Sequence, residues 1–293
     1  MDGPPDVRRR RLQASRPVSA REQLDWEARW AKPAAISAFA AAALLVAGTI
    51  VRQAVALADN PDGDREFLLA INDNSGSFLV SSALQALAFL ALIGVFLYLS
   101  RAVLARRPGL PGLLIWLGIL GPLLLAIAGV LSDLARLDIA DQFVASGAQT
   151  EARAEDLIDD RSVAAAAIGS AGTLAMALAF VFFSINAMRV GLLSRFMGVV
   201  GAIIGALYVL PVLAGPLVVQ LFWLIALGVL FLGAWPGGRG PAWATGEAVE
   251  WPSARRSLEA GPEGHDASES NQPVAAEPDA RPSRPTRKRK KRR

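Results

Sequence analysis

The sequence contains no cysteine and a single histidine, His265. Without cysteine, the chain has no disulfide, no thiolate metal site and no thiol nucleophile. Histidine is the usual general base near neutral pH and a common metal ligand, and its single copy stands in a polar tail. Thiol and histidine chemistry are therefore excluded as the basis of a function.

Charge is missing from six long apolar segments. Asp, Glu, Lys, Arg and His are all absent from residues 33–51, 78–99, 110–131, 163–188, 197–213 and 217–235. About twenty apolar residues allow a helix to cross the hydrocarbon core of a bilayer. Since 53% of all residues are hydrophobic, the sequence predicts an all-α integral membrane protein, with a six-helix transmembrane domain at residues 33–236.

The same absence narrows the chemistry that the chain can perform. Proton relays and ion-coupled transporters usually place ionisable groups near the membrane midplane. A serine nucleophile within these segments would have no base beside it, and no Gly-rich nucleotide loop is present. The sequence predicts no enzyme, no cofactor and no metal site, and any catalysis would have to use carboxylates in the loops.

Lys and Arg are distributed unevenly among the segments between the apolar runs. They number 8 in residues 1–32 and 12 in residues 236–293, against 2 in residues 52–77 and 3 in residues 132–162. Cytoplasmic segments of membrane proteins are enriched in Lys and Arg. We therefore predict a multi-pass protein of the plasma membrane with both termini in the cytoplasm and the two acidic loops outside.

Residues 1–32 are predicted to form a cytoplasmic arm that begins with four consecutive arginines and ends in a short amphipathic helix. The arginines are Arg8, Arg9, Arg10 and Arg11. Ser19 and Glu22 have the spacing of a capping box, which starts a helix. Trp26 and Trp30 would share one face of that helix, either as an anchor in the headgroup layer or as a surface for a protein partner.

Residues 237–293 are predicted to form a disordered cytoplasmic tail, because they are too polar to bury a core. The tail ends in a polybasic run: Arg287, Lys288, Arg289, Lys290, Lys291, Arg292 and Arg293. Three interpretations stay open, namely attraction to anionic lipid headgroups, contact with phosphates of nucleic acid, and a solubilising end without a partner. Nothing beside the run resembles a nucleic-acid-binding domain, so no specific nucleic acid is predicted.

Few polar side chains interrupt the apolar segments, and four of them are candidates for a site. They are Gln85, Thr173, Asn186 and Gln220. A polar group in hydrocarbon needs a hydrogen-bond partner, so these side chains are expected to face the interior of the bundle. They would either bond helix to helix or line a site for a small neutral or amphiphilic ligand.

Small residues recur on one face of the fifth apolar segment. Gly201 and Gly205 form a GxxxG pattern, with Gly198 and Ala202 close to the same face. Such residues let two helix backbones approach closely. The pattern predicts a helix-packing site, either within the bundle or between two copies of the chain.

A cluster of carboxylates lies in the long loop at 132–162. Glu155, Asp156, Asp159 and Asp160 could bind a divalent cation through their oxygens, but they lack the alternating Asp/Asn/Gly pattern of a calcium loop. A solvated acidic loop on the outer side is the alternative that the sequence favours.

The segment RVGLLSRFMGVVGAI, the last apolar run ending in AWPGG, and the following PAWATGEAVEWPSA resemble uncharacterised six-span membrane proteins of actinobacteria. Those proteins belong to families defined only as domains of unknown function, and the resemblance covers the C-terminal half. It implies a bacterial plasma-membrane protein with about six helices. It implies no activity and no functional residues.

Two functional hypotheses follow from the sequence. The first is a non-catalytic component or scaffold of a membrane complex, whose cytoplasmic termini bind lipid or a protein partner. The second is a passive or weakly coupled carrier or receptor for a small neutral or amphiphilic molecule, lined by Gln85, Asn186 and Gln220.

Overall fold

The computed structural model of the chain describes residues 19–58, 63–145, 147–159, 163–210, 217–236 and 238–251. These residues contain nine helices and no strand, which confirms the predicted all-helical class. The helices are α1 (Ala20–Ala58), α2 (Asp64–Asp73), α3 (Ser75–Arg106), α4 (Leu113–Ala145), α5 (Glu151–Asp159), α6 (Val163–Arg189), α7 (Arg195–Val209), α8 (Leu217–Phe231) and α9 (Pro241–Thr245).

Four helices, α1, α3, α4 and α6, are long and apolar enough to cross a membrane. With 39 residues, α1 is about 58 Å long, well beyond the hydrocarbon thickness of about 30 Å. Large apolar side chains point away from the bundle on these helices, for example Ile36 at 68% exposure and Trp116 at 59%. Soluble monomers rarely expose apolar surface on this scale. The chain is a helical membrane protein.

Helix α1 joins two elements that the sequence predicts to be separate, the short helix of the N-terminal arm and the first apolar segment. Ser19 Oγ accepts from the backbone N–H of Glu22 at 3.2 Å, and Glu22 accepts from the backbone N–H of Ser19 at 3.0 Å, as a capping box requires. From there α1 continues without a break through Pro33 into the first apolar segment. The predicted short arm helix is thus the first part of a spanning helix.

Three of the described helices, α6, α8 and α9, end on a glycine with a left-handed backbone. After α8, Gly233 has φ +77°, and the N–H of Ala234 reaches back to the carbonyl of Val229 at 3.0 Å. After α6, Gly191 has φ +79° and plays the same part. This Schellman arrangement favours glycine. It ends α8 at Phe231, whereas the apolar run predicted a span up to Trp235.

We call the end of the bundle that holds residues 101–107 and 189–195 the basic end, and the end that holds residues 64–73 and 133–159 the acidic end. At the acidic end, α2, α5 and the last turns of α4 enclose a small core of their own. Its buried members are Leu68, Ile71, Phe78, Ala140, Phe143 and Ala154. The carboxylate of Glu151 accepts from the backbone N–H groups of Asp64 and Arg65, which begins α2. The two predicted polar loops, at 52–77 and 132–162, therefore contain the helices α2 and α5.

At the basic end, the segment after α8 folds back onto the helix ends. The indole N–H of Trp243, in α9, donates to the carbonyl of Leu192 at 2.9 Å, and the N–H of Val249 donates to that of Val190 at 3.3 Å. Residues 238–251, assigned to a disordered tail by the sequence analysis, have a fixed place because Trp243 is buried there. The arginine run at 8–11 and the polybasic run at 287–293 lie outside the described residues.

Candidate functional site

A cavity of about 710 Å³ lies between five helices at the acidic end. Pockets of about 300–1,000 Å³ are the usual size for small-molecule sites. The lining side chains come from α1, α3, α4, α6 and α7. Along α4 the lining runs from Arg136 at the mouth to Leu125, a distance of about 16 Å. The cavity therefore reaches from the acidic end to about the middle of the bundle.

Three charged side chains surround the mouth of the cavity. Both carboxylate oxygens of Asp133 accept hydrogen bonds from Arg52, at 3.3 and 2.5 Å, and Arg136 donates to the same carboxylate at 2.8 Å. The Asp133 side chain is only 5% exposed, while those of Arg52 and Arg136 are 32% and 43% exposed. Bidentate arginine–carboxylate pairs are among the stronger hydrogen-bonded pairs in proteins. The mouth thus carries one net positive charge held in a fixed geometry.

Polarity falls from the mouth of the cavity to its floor. Below the charged mouth, the wall carries hydroxyl and amide groups from Gln85, Ser132, Ser170 and Thr173. Further down, the lining becomes apolar, with side chains from Phe89, Leu125 and Leu174. Tyr208 completes the floor. A molecule with a polar head and an apolar body matches this gradient.

The floor is backed by a packed aromatic core. The Tyr208 ring stacks on Phe180 at 5.7 Å, and Phe180 meets Phe96 and Trp223 at 5.2 Å each. All three of these inner rings are fully buried. This core lies between the floor of the cavity and the basic end.

The four polar residues singled out in the sequence do not share one site. Gln85 and Thr173 line the cavity, and Gln220 lies behind it, accepting from the Tyr208 hydroxyl at 3.0 Å. Asn186 lies at the opposite, basic end, where its amide donates to the carbonyl of Phe182 at 2.8 Å and accepts from Arg107 at 3.4 Å. Of the three residues that the sequence analysis proposes as the lining of one ligand site, only Gln85 lines this cavity.

The GxxxG glycines pack within the chain, against α6. A Cβ atom on Gly201 would lie 1.9 Å from Ser184 Oγ, and one on Gly205 would lie 2.6 Å from the carbonyl oxygen of Ala177. Gly198 approaches Met188 in the same way, while Ala202 is only partly buried. Of the two arrangements that the pattern allows, the structure shows the one inside the bundle. An equally close contact joins α4 and α6 at Gly121, where a Cβ would lie 2.8 Å from the backbone nitrogen of Met176.

A second set of charged groups, the basic-end cluster, is formed by Glu27, Arg106, Tyr98 and Trp243. Arg106 makes a bidentate pair with Glu27, and these side chains are 0% and 3% exposed. Arg106 also donates to the carbonyl of Ala242 at 2.6 Å, and its guanidinium lies 5.7 Å from the Trp243 ring. The Tyr98 hydroxyl donates to the backbone carbonyl of Glu27 at 3.1 Å. This cluster closes the basic end.

The tryptophans of α1 lie next to the basic-end cluster in different surroundings. Trp26 stacks on Tyr98 at 5.5 Å and lies under the guanidinium of Arg101 at 4.4 Å. Trp30 is 48% exposed on the outside of the bundle. Trp26 is therefore part of the protein packing, and Trp30 keeps the exposed position that an interfacial anchor needs.

Among the described residues, no group of three or more His, Asp or Glu side chains is placed to hold a metal ion. Glu155 and Asp156 of the predicted acidic cluster are exposed on α5. Asp160 lies outside the described residues.

Comparison of the chain with protein-family models, with curated proteins and with solved structures finds no match. The functional argument therefore rests on the residues of this chain alone.

The charged pair at the mouth was missed in the sequence because both residues lie just beyond an apolar segment. Arg52 follows Val51 directly, and Asp133 stands two positions after Leu131. Opposite charges at the ends of two apolar runs that meet at the same membrane face are a signal for pairing, and this signal could have identified the mouth of the cavity.

Proposed function

We propose that this protein binds a small amphiphilic molecule in the acidic-end cavity and acts as a receptor or carrier without catalytic chemistry. The cavity supports this function because it combines a charged mouth, a hydrogen-bonding wall and an apolar floor. The aromatic core behind the floor favours binding over passage through an open pore.

The binding proposal is tested by filling the cavity without removing a polar group. A Cβ atom on Gly129, which lines the cavity, would meet no atom within 4 Å, so Gly129→Leu adds bulk to the open space. Gly76→Leu is the matched control, since Gly76 is equally open and lies outside the cavity. Native mass spectrometry of protein gently extracted from its own membrane should show a discrete bound molecule that is lost in Gly129→Leu and kept in Gly76→Leu. Equal occupancy in both variants would refute the cavity as the site.

We further propose six membrane spans, with the basic end in the cytoplasm and the acidic end outside the plasma membrane. In this arrangement α7 and α8, of 15 residues each, form the fifth and sixth spans together with the residues that flank them. The uneven distribution of Lys and Arg supports this orientation. The resemblance to actinobacterial proteins favours a bacterial source.

Single cysteines can test the orientation, because the chain has none of its own. Ala145 at the acidic end and Gly109 at the basic end are both exposed. A membrane-impermeant thiol reagent applied to intact cells should label Ala145→Cys and leave Gly109→Cys unlabelled. The reverse pattern would invert the proposed topology.

A second candidate function, a component of a membrane complex, is supported by the fold of residues 238–251. This segment is fixed to the basic end through Trp243, so the remaining residues to 293, including the polybasic run, start from a defined point. That run would attract anionic lipid headgroups at about 1 kcal/mol per basic residue near the surface, or bind a protein partner. A stoichiometric second protein in the mass spectrum, lost when the chain is truncated after Trp251, would support this function.

A further inference from the structure

We infer that the ligand of the acidic-end cavity is an anionic amphiphile, whose carboxylate or phosphate head is held by Arg52 and Arg136. The inference rests on the proposed function and specifies the chemical class of the molecule bound. It is carried by the hydrogen bonding of the three charged side chains at the mouth and by the lining below them.

Among the described residues that line the cavity, Asp133 is the one carboxylate, and it is already engaged. Asp133 receives hydrogen bonds on both oxygens from Arg52 and a further one from Arg136, and it is almost completely buried. A cationic ligand would have to displace these guanidinium groups from the carboxylate. Such a displacement would leave two arginines without their partner, so the mouth is poorly suited to a cation.

Arg136, in contrast, keeps donors for a ligand, because it uses one terminal nitrogen on Asp133 and its side chain is 43% exposed. A guanidinium has five N–H donors in a planar fork, which fits carboxylate and phosphate groups. Arg52 uses its two terminal nitrogens on Asp133, and its buried Nε has no hydrogen-bond partner among the described residues. Arg52 also packs over the Phe78 ring at 4.9 Å, which fixes its plane. The excess positive charge thus comes with unused donors.

The rest of the lining fits the body of such a molecule. Asp138 and Asp141, further along α4, are exposed and do not line the cavity, so among the described lining residues the two arginines and Asp133 carry the charge. About 16 Å of lining lies along α4 below the mouth and ends on apolar side chains. The hydroxyl and amide groups between the two ends can hold ordered water or the polar linker of a lipid.

Direct binding measurements with three probes test the inference. The protein is placed in nanodiscs of zwitterionic phosphatidylcholine, and binding is measured for radiolabelled laurate, dodecanol and dodecyltrimethylammonium. Laurate should bind most tightly. Because hydrogen bonds to charged groups are the stronger kind, Arg136→Gln should weaken laurate binding by about tenfold or more and leave dodecanol binding unaltered, and Arg136→Lys should recover part of the loss. A further experiment uses nanodiscs doped with phosphatidylglycerol and measures whether this lipid competes with laurate. Competition would identify the natural ligand as a membrane lipid and not a free acid.

The outcomes separate this inference from the proposed function. If Gly129→Leu leaves the binding of every probe unchanged, the cavity is not the site and the proposed function fails. If Gly129→Leu abolishes binding but Arg136→Gln does not alter the preference for laurate over dodecanol, only the anionic inference fails. Tighter binding of dodecyltrimethylammonium than of laurate, lost in Asp133→Asn, would replace it with a cationic ligand.

Discussion

Glu27 and Arg106 at the basic end and Asp133 and Arg52 at the acidic end are both bidentate ion pairs between helices, but their surroundings differ. The first pair is almost completely removed from solvent under Trp243, whereas Asp133 is shared by two arginines that are about one third to two fifths exposed. The first lies in packed protein, and the second lies at the mouth of a cavity. The same chemical pair therefore closes one end of the bundle and leaves donors accessible at the other.

In this structure the Glu27–Arg106 pair closes the basic end, whereas the acidic end is open at the mouth of the cavity. Isolated charges are expensive to bury, so Glu27 and Arg106 hold each other in place, and separating them requires that water enter the basic end. If the protein is a carrier, release at the basic end would require the basic-end cluster and the aromatic core to separate. A receptor would need neither step. Variants that weaken each end separately test how far the two ends differ.

The largest effect is expected from Glu27→Gln. This substitution leaves the Arg106 guanidinium buried and without its anionic partner, and breaking buried pairs in this way destabilises proteins by about 3–5 kcal/mol. The midpoint of thermal or denaturant unfolding in detergent should fall steeply. Asp25→Asn, at an exposed position of the same helix, should leave it near the wild-type value. Equal midpoints for the two variants would show that the basic end is not closed as described.

A smaller effect on stability is expected when alanine replaces Gly201, at a tight helix contact, than from the loss of Glu27. Gly129, in the wall of the cavity, provides the comparison. Gly201 faces Ser184 and Trp223, with no space for a Cβ, and overpacking of this kind costs about 1–3 kcal/mol. At Gly129 in the cavity wall, the added methyl meets no neighbour. Gly201→Ala should therefore lower the unfolding midpoint, and Gly129→Ala should not. A loss of stability at Gly129 would mean that the cavity is filled by protein.

The sequence predicts the helices of this fold more reliably than their ends. Most of the described residues of each apolar run lie in a helix, because a helix satisfies its own backbone hydrogen bonds in lipid. The ends depend on local chemistry instead: the capping box at Ser19 starts α1 thirteen residues before the apolar run, and Gly233 stops α8 inside the predicted span. Hydrophobicity indicates which residues lie in the membrane, whereas capping residues determine where a helix begins and ends.

The candidate site was predictable only in part. Gln85 and Thr173 were recognised as polar groups facing the interior, and both line the cavity. Asn186 was grouped with them by residue type, although it stands at the end of an apolar run beside the basic loop, which already places it at the other membrane face. The partners of Arg52 and Arg106 lie 81 and 79 residues away. Such pairs depend on which helices pack together, which a single sequence does not specify.

The smallest effect is expected from Arg136→Gln on stability, and it sharpens the contrast with Glu27→Gln. Arg136 pairs with Asp133 at 2.8 Å, but its side chain is 43% exposed and Arg52 still satisfies the carboxylate when it is removed. Exposed ion pairs contribute about 0.2–1 kcal/mol. The unfolding midpoint should therefore shift only slightly, while laurate binding falls about tenfold. A large loss of stability would show that Arg136 is a structural member of the bundle, as Arg106 is, and would remove the distinction between the two ends on which the binding site depends.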